Sequence, residues 1–73
     1  MMADMDTIEI DNRGLQPPEP MVRILTAVST MGEAGRVVAL MDREPLPLYA
    51  ELERRGLQWR FEDDGQVKRL TIW

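Results

Sequence analysis

Polar and apolar residues alternate strictly from Thr7 to Asp11, a period of two that predicts a short strand with Ile8 and Ile10 facing inward. The period then changes. Met21, Ile24, Leu25 and Val28 fall at i, i+3, i+4 and i+7, which predicts a helix over about Pro18 to Met31. Arg23, Thr26, Ser29 and Thr30 lie off that stripe, and Gly32 is placed to cap the helix before a Gly32–Gly35 loop. Arg36 to Met41 holds a continuous apolar run of strand length, Val-Val-Ala-Leu-Met, and apolar residues on both faces suggest a central, often parallel strand. A second helix is predicted from Pro45 or Pro47 to Arg55. Leu48, Tyr49 and Leu52 form its apolar side, Glu51 and Arg55 an i,i+4 ion pair, Arg54 and Arg55 suit its negative end, and Gly56 is its cap. Alternation returns in Leu57–Glu62 and Val67–Trp73. Asp64-Gly65 between them is a two-residue hairpin signal that pairs Phe61 with Lys68, Trp59 with Leu70, and Leu57 with Ile72. The same register opposes Gln58 to Thr71 and Arg60 to Arg69, the latter unfavourable unless an acid such as Glu62 lies close.

Assembled, the order is βαβαββ. Right-handed crossovers put both helices on one face of the sheet, so the fold class is α+β, a two-layer α/β sandwich with a mixed sheet. Trp59 and Phe61 are core by position, and Tyr49 is half-buried with a wet hydroxyl. Met31 and Met41, near element ends, fill gaps. Residues 1–6 are expected to be a frayed tail, and 7–73 a single domain.

Composition narrows the chemistry. The 73 residues contain no cysteine and no histidine. That excludes disulfides, thiolate nucleophiles, thiolate metal sites and imidazole acid–base catalysis. Carboxylates, Arg, Lys, a few hydroxyls and Tyr49 remain. A net charge of −4 argues against nucleic acid as a partner. No apolar run reaches membrane-spanning length, and Met-Met-Ala-Asp-Met-Asp lacks the basic start of a signal peptide. The expectation is a soluble cytoplasmic protein.

The stretch Asp11 to Pro20 turns the first strand into the first helix. Gly14 suits a positive φ, and Glu19 places negative charge in the first helical turn. Pro17 and Pro18 favour an extended approach, and Pro18 suits the first helical position. Pro17, Pro18 and Pro20 carry no N–H, so this helix start has lost several donors of an ordinary anion site. The motif Gly14-Leu15-x-x-Pro18-Glu19-Pro20 resembles the signature of the TusA/SirA-like small sulfur-carrier fold, in which the residue before Pro-Glu-Pro is the cysteine that carries a persulfide. Here that residue is Pro17. The resemblance covers the chain from Ile8 onward, but only the Gly14–Pro20 motif is specific. It implies a strand order of 1-2-4-3 and a bacterial protein. Asp42-Arg43-Glu44-Pro45-Leu46-Pro47-Leu48 at the second helix start also resembles a cysteine-less, uncharacterised branch of that fold.

Two candidate sites follow. The edge that collects the strand C-termini and helix N-termini gathers Asp11, Arg13, Gln16, Pro17, Glu19, Asp42, Arg43 and Glu44, together with Asn12 and, close by, Glu62 and Asp63. It reads as a small-ligand or Mg²⁺/Ca²⁺ site, or more plainly as a self-compensating rim in which Asp42 caps the second helix. The helix-free face carries Gln58, Arg60, Val67, Arg69, Thr71, Trp73 and alternate residues of Val37–Met41, and reads as a protein-docking surface. The function expected is a non-enzymatic interaction or adaptor module, a monomer or weak dimer with a protein partner and no cofactor. The alternative is ligand or cation binding at the rim. An enzyme is the weakest reading, since a two-layer domain this small has little volume in which to desolvate a carboxylate base.

Overall fold

A computed structural model describes residues 7–73; the expected tail, residues 1–6, lies outside them. The elements are β1 (Thr7–Asp11), α1 (Glu19–Thr30), β2 (Arg36–Met41), α2 (Leu46–Arg54), β3 (Trp59–Asp63) and β4 (Lys68–Ile72). The sheet has four strands in the order β1-β2-β4-β3. β1 runs parallel to β2, β4 antiparallel to both β2 and β3. The βαβαββ order and the mixed sheet are as the periodicities predict.

One core lies between the sheet and the helices. Ile24 and Val28 of α1 and Leu48 and Leu52 of α2 share it with Ile10, Val37, Ala39, Leu70 and Ile72, so both helices cover the same face. Each fully buried Val, Leu or Ile among them contributes about 1.5–3 kcal/mol relative to water. Ile8, Met21, Met31, Trp59 and Phe61 are half-buried against the cluster. The two aromatics of β3 sit on an edge strand, so they border the core instead of filling it. Trp59 is stacked on Tyr49, with ring centroids 5.0 Å apart.

The C-terminal ends of the helices differ in one respect from expectation. Gly56 ends α2 as predicted, at φ 76°. Its N–H reaches Glu53 O at 2.9 Å and the Leu57 N–H reaches Leu52 O at 3.0 Å, the paired bonds of a Schellman motif. Gly32 does not cap α1. Met31 stops that helix by turning extended (φ −73°, ψ 146°), and Gly32 instead accepts the Gly35 N–H at 2.9 Å. Gly35 is the glycine this turn requires: a Cβ there would lie 2.8 Å from Met31 Cβ.

The hairpin register is also corrected. Phe61 opposes Leu70, Trp59 opposes Ile72, and Asp63 opposes Lys68. The loop is Gly65-Gln66, one residue further along than Asp64-Gly65, which moves every pair by two and keeps each side chain on its predicted face. Asp64 explains the shift. Its Oδ1 accepts the N–H groups of Gln66 (2.9 Å) and Val67 (2.8 Å), so it closes the loop as an Asx turn and leaves the positive φ of 93° to Gly65. In this register Glu62 opposes Arg69 and Thr71 opposes Arg60, so the two arginines no longer face each other.

The two glycines give a direct test. Gly56→Ala puts a Cβ into the left-handed region and should cost about 1 kcal/mol, roughly 4–8 °C in Tm for a domain of this size. Gly32→Ala meets nothing within 4 Å and has no positive φ, so its thermal unfolding curve should match the parent's.

Candidate functional site

The two β–α turns meet at one end of the sheet. The Asn12 N–H extends the ladder to Leu40 O at 2.9 Å, and the chain then reverses at Gly14, φ 81°. The Gly14 N–H donates to Asp42 Oδ2 at 2.7 Å. That bond ties the first turn to the second and corrects the expectation that Asp42 caps α2, which has Pro45 at its N-cap and no side-chain cap. Pro18, predicted as an extended lead-in and first helical residue, is the N-cap of α1 at φ −93°, ψ 12°. The Pro17–Pro18 bond is cis.

The charged rim is largely engaged with itself. Arg13 holds Asp11 through Nε–Oδ1 at 2.9 Å and Nη2–Oδ2 at 2.8 Å, and its own N–H donates to Oδ1 at 3.1 Å. The Asp11 carboxyl is lowered from 3.8 to about 2, chiefly by these side-chain hydrogen bonds. Arg23 reaches Asp11 O at 3.2 Å. Glu44 accepts the Tyr49 hydroxyl at 2.9 Å; burial, and then this bond, raise the phenol so that it stays protonated. At the start of α1 the Glu19 N–H is taken by Gln16 O at 3.0 Å, and Pro18 and Pro20 have none to offer. Glu62 and Asp63 lie at the same end but across β4, on the far edge strand, where Asp63 meets Lys68 Nζ at 3.8 Å. Among the described residues no three acidic side chains converge as a metal site would need.

Between the two helix starts lies a cleft of about 370 Å³. Buried Asn12 and Met41 form its floor, Leu15, Pro20 and Met21 its walls, and Pro17, Pro18, Pro45, Pro47 and the Asp42–Glu44 segment its lip. Asn12 is the residue whose role sequence reading passed over. It is 2% exposed, with Nδ2 donating to Pro20 O at 3.0 Å and to Met41 Sδ at 3.7 Å. The signal was present: the alternation that turns Ile8 and Ile10 inward places position 12 inward as well.

On the helix-free face the strands align their outward residues in rows. Asp11, Leu40, Arg69 and Glu62 form one row, and Glu9, Val38, Thr71 and Arg60 the next. Val38, Leu40 and Thr71 are half-buried at the centre of the face although no helix of the described residues covers them. Trp73, just beyond β4, is 42% exposed.

A family model described as "Uncharacterized conserved protein (DUF2249)" matches residues 9–73. The chain belongs to the DUF2249 family. No curated protein matches it. The crystal structure of a SirA-like protein from Desulfitobacterium hafniense resembles this DUF2249 chain at 35% sequence identity, covering 89% of this chain and 93% of that one with a TM-score of 0.75. The SirA-like fold is therefore shared, while this chain has no cysteine at all.

Two measurements follow. Because folding depresses the Asp11 pKa, the ionised carboxylate favours the native state above about pH 4, and that contribution fades as the pH falls toward 2. NMR titration of its carboxyl carbon should give a midpoint near 2, moving up toward 3.8 in Arg13→Ala. If Pro17 occupies the position of the carrier cysteine, Pro17→Cys should fold normally and present a reachable thiol beside the start of α1 that alkylates with a midpoint below the roughly 8.5 of a free thiol. A buried or ordinary thiol would refute the residue-by-residue alignment.

Proposed function

We propose that this DUF2249 chain is a non-enzymatic protein-interaction module that docks through the helix-free face of its sheet. A bacterial, cytoplasmic setting is part of the same reading. The observation that carries it is the composition of that face. Val38 and Leu40 sit at its middle, Glu9, Asp11, Arg60 and Arg69 surround them, and an exposed indole stands at the end of β4. An apolar centre with a charged rim and a Trp or Arg anchor is how protein interfaces are built. The rim at the other site offers less. Both Asp11 oxygens are held by Arg13, and among the described residues no three acidic side chains converge there, so a cation would meet no shared set of ligands. That favours docking over the cation reading.

The test is capture of a partner from a lysate of the source organism by the parent and by three variants. Val38→Glu with Leu40→Glu should abolish the captured band while leaving the circular dichroism spectrum unchanged. Deleting Trp73 should weaken capture with little effect on Tm. Asp42→Ala, at the opposite site, should capture as the parent does. A band that survives the double variant, or a large fall in Tm on losing Trp73, would refute docking through this face.

A further inference from the structure

We propose that the cleft between the two helix starts binds a small uncharged ligand with a ring-sized apolar body and one N–H or O–H donor, the donor going to Asn12 Oδ1. Three observations carry this, all independent of the docking face. The first is the acceptor. Asn12 is almost wholly buried, and its Oδ1 has no hydrogen-bond partner among the described residues. The amide orientation is settled by Pro20 O, which can only accept and therefore takes Nδ2; the free end is an oxygen and calls for a donor. A buried acceptor left without a partner is costly, so a group that supplies the missing bond gains more than it would at an exposed site.

The second is the lining. The prolines at both helix starts supply rigid apolar walls and no N–H groups, so nothing in them invites an anion. The charged groups, Asp42, Arg43 and Glu44, stand at the exposed lip, where the two carboxylates accept from Gly14 and Tyr49, so charge of both signs is confined to the rim above an apolar interior. The third is size and give. At about 370 Å³ the cleft falls at the lower end of small-molecule pockets, roughly 300–1,000 Å³. Met21 and Met41, on wall and floor, are flexible side chains that can shift to admit a ring and uncover the amide oxygen.

Indole and 1-methylindole are suitable probes, since they share an apolar ring and differ in the N–H donor. Titrated into the ¹⁵N-labelled protein, indole should shift the amides of Asn12, Met21 and Met41 to saturation. 1-Methylindole should bind about tenfold more weakly, the loss expected when a buried acceptor goes unpaired. Asn12→Leu should erase the difference between the probes. Because that variant also loses the Pro20 bond and could misfold, Leu15→Trp serves as a second, filling the cleft from its wall; it should abolish binding with a dispersed spectrum retained. Equal affinities for the two probes in the parent would overturn the assignment of Asn12. Shifts that never saturate, that centre on Val38 and Leu40, or that leave an ordered water in place on Oδ1 in a crystal soaked with indole would overturn the site. Neither failure bears on the docking face, which these probes do not test.

Discussion

The structure depends on β2 being apolar on both faces while the chain has helices enough to cover only one. Val37, Ala39 and Met41 go beneath α1 and α2 and hold the core together. Val38 and Leu40, one residue out of phase, are left to the open side. Pairing on both edges, parallel to β1 and antiparallel to β4, keeps the strand central and its backbone satisfied. Both helices of the described residues pack on the other face. Residual apolar surface in the middle of a charged sheet face is thus a consequence of topology, and the charged neighbours in β1, β3 and β4 keep it within what a folded surface tolerates.

The opposite site is organised by proline. Prolines at both helix starts remove the donors that would make an anion site; the Gly14 N–H joins the two turns through Asp42, and Arg13 closes on Asp11 within the first. What is left between the turns is an apolar cleft with one buried amide beneath it. If the resemblance of Gly14–Pro20 to the sulfur-carrier motif holds residue by residue, Pro17, at the lip of the cleft, stands where that fold carries a thiol.

Much of the architecture is legible from periodicity, because strand and helix repeats are properties of contiguous residues. The alternation at Thr7–Asp11, the stripe through Met21, Ile24, Leu25 and Val28, the apolar run of β2 and the glycine after α2 each identify their element within a residue or two of its observed end. The strand order came with the Gly14–Pro20 motif. The faces of the hairpin survived even a wrong loop, since a slip of two residues preserves side-chain orientation. The absence of cysteine and histidine, decided by composition alone, bounded the chemistry before any fold was known.

The remainder required atoms far apart in the chain to be brought together. Asp42 looked like a helix cap because caps are local, but its carboxylate is taken by Gly14, 28 residues earlier. The loop of the hairpin turned on whether the Asp64 side chain or its backbone would satisfy Gln66 and Val67, a competition that residue type alone leaves open. Asn12 was placed inward by its strand, yet whether its amide would be fully paired depended on where Pro20 and Met41 came to rest. Local pattern determines which way a side chain faces; only the packed tertiary structure determines which of its hydrogen bonds are left unmade.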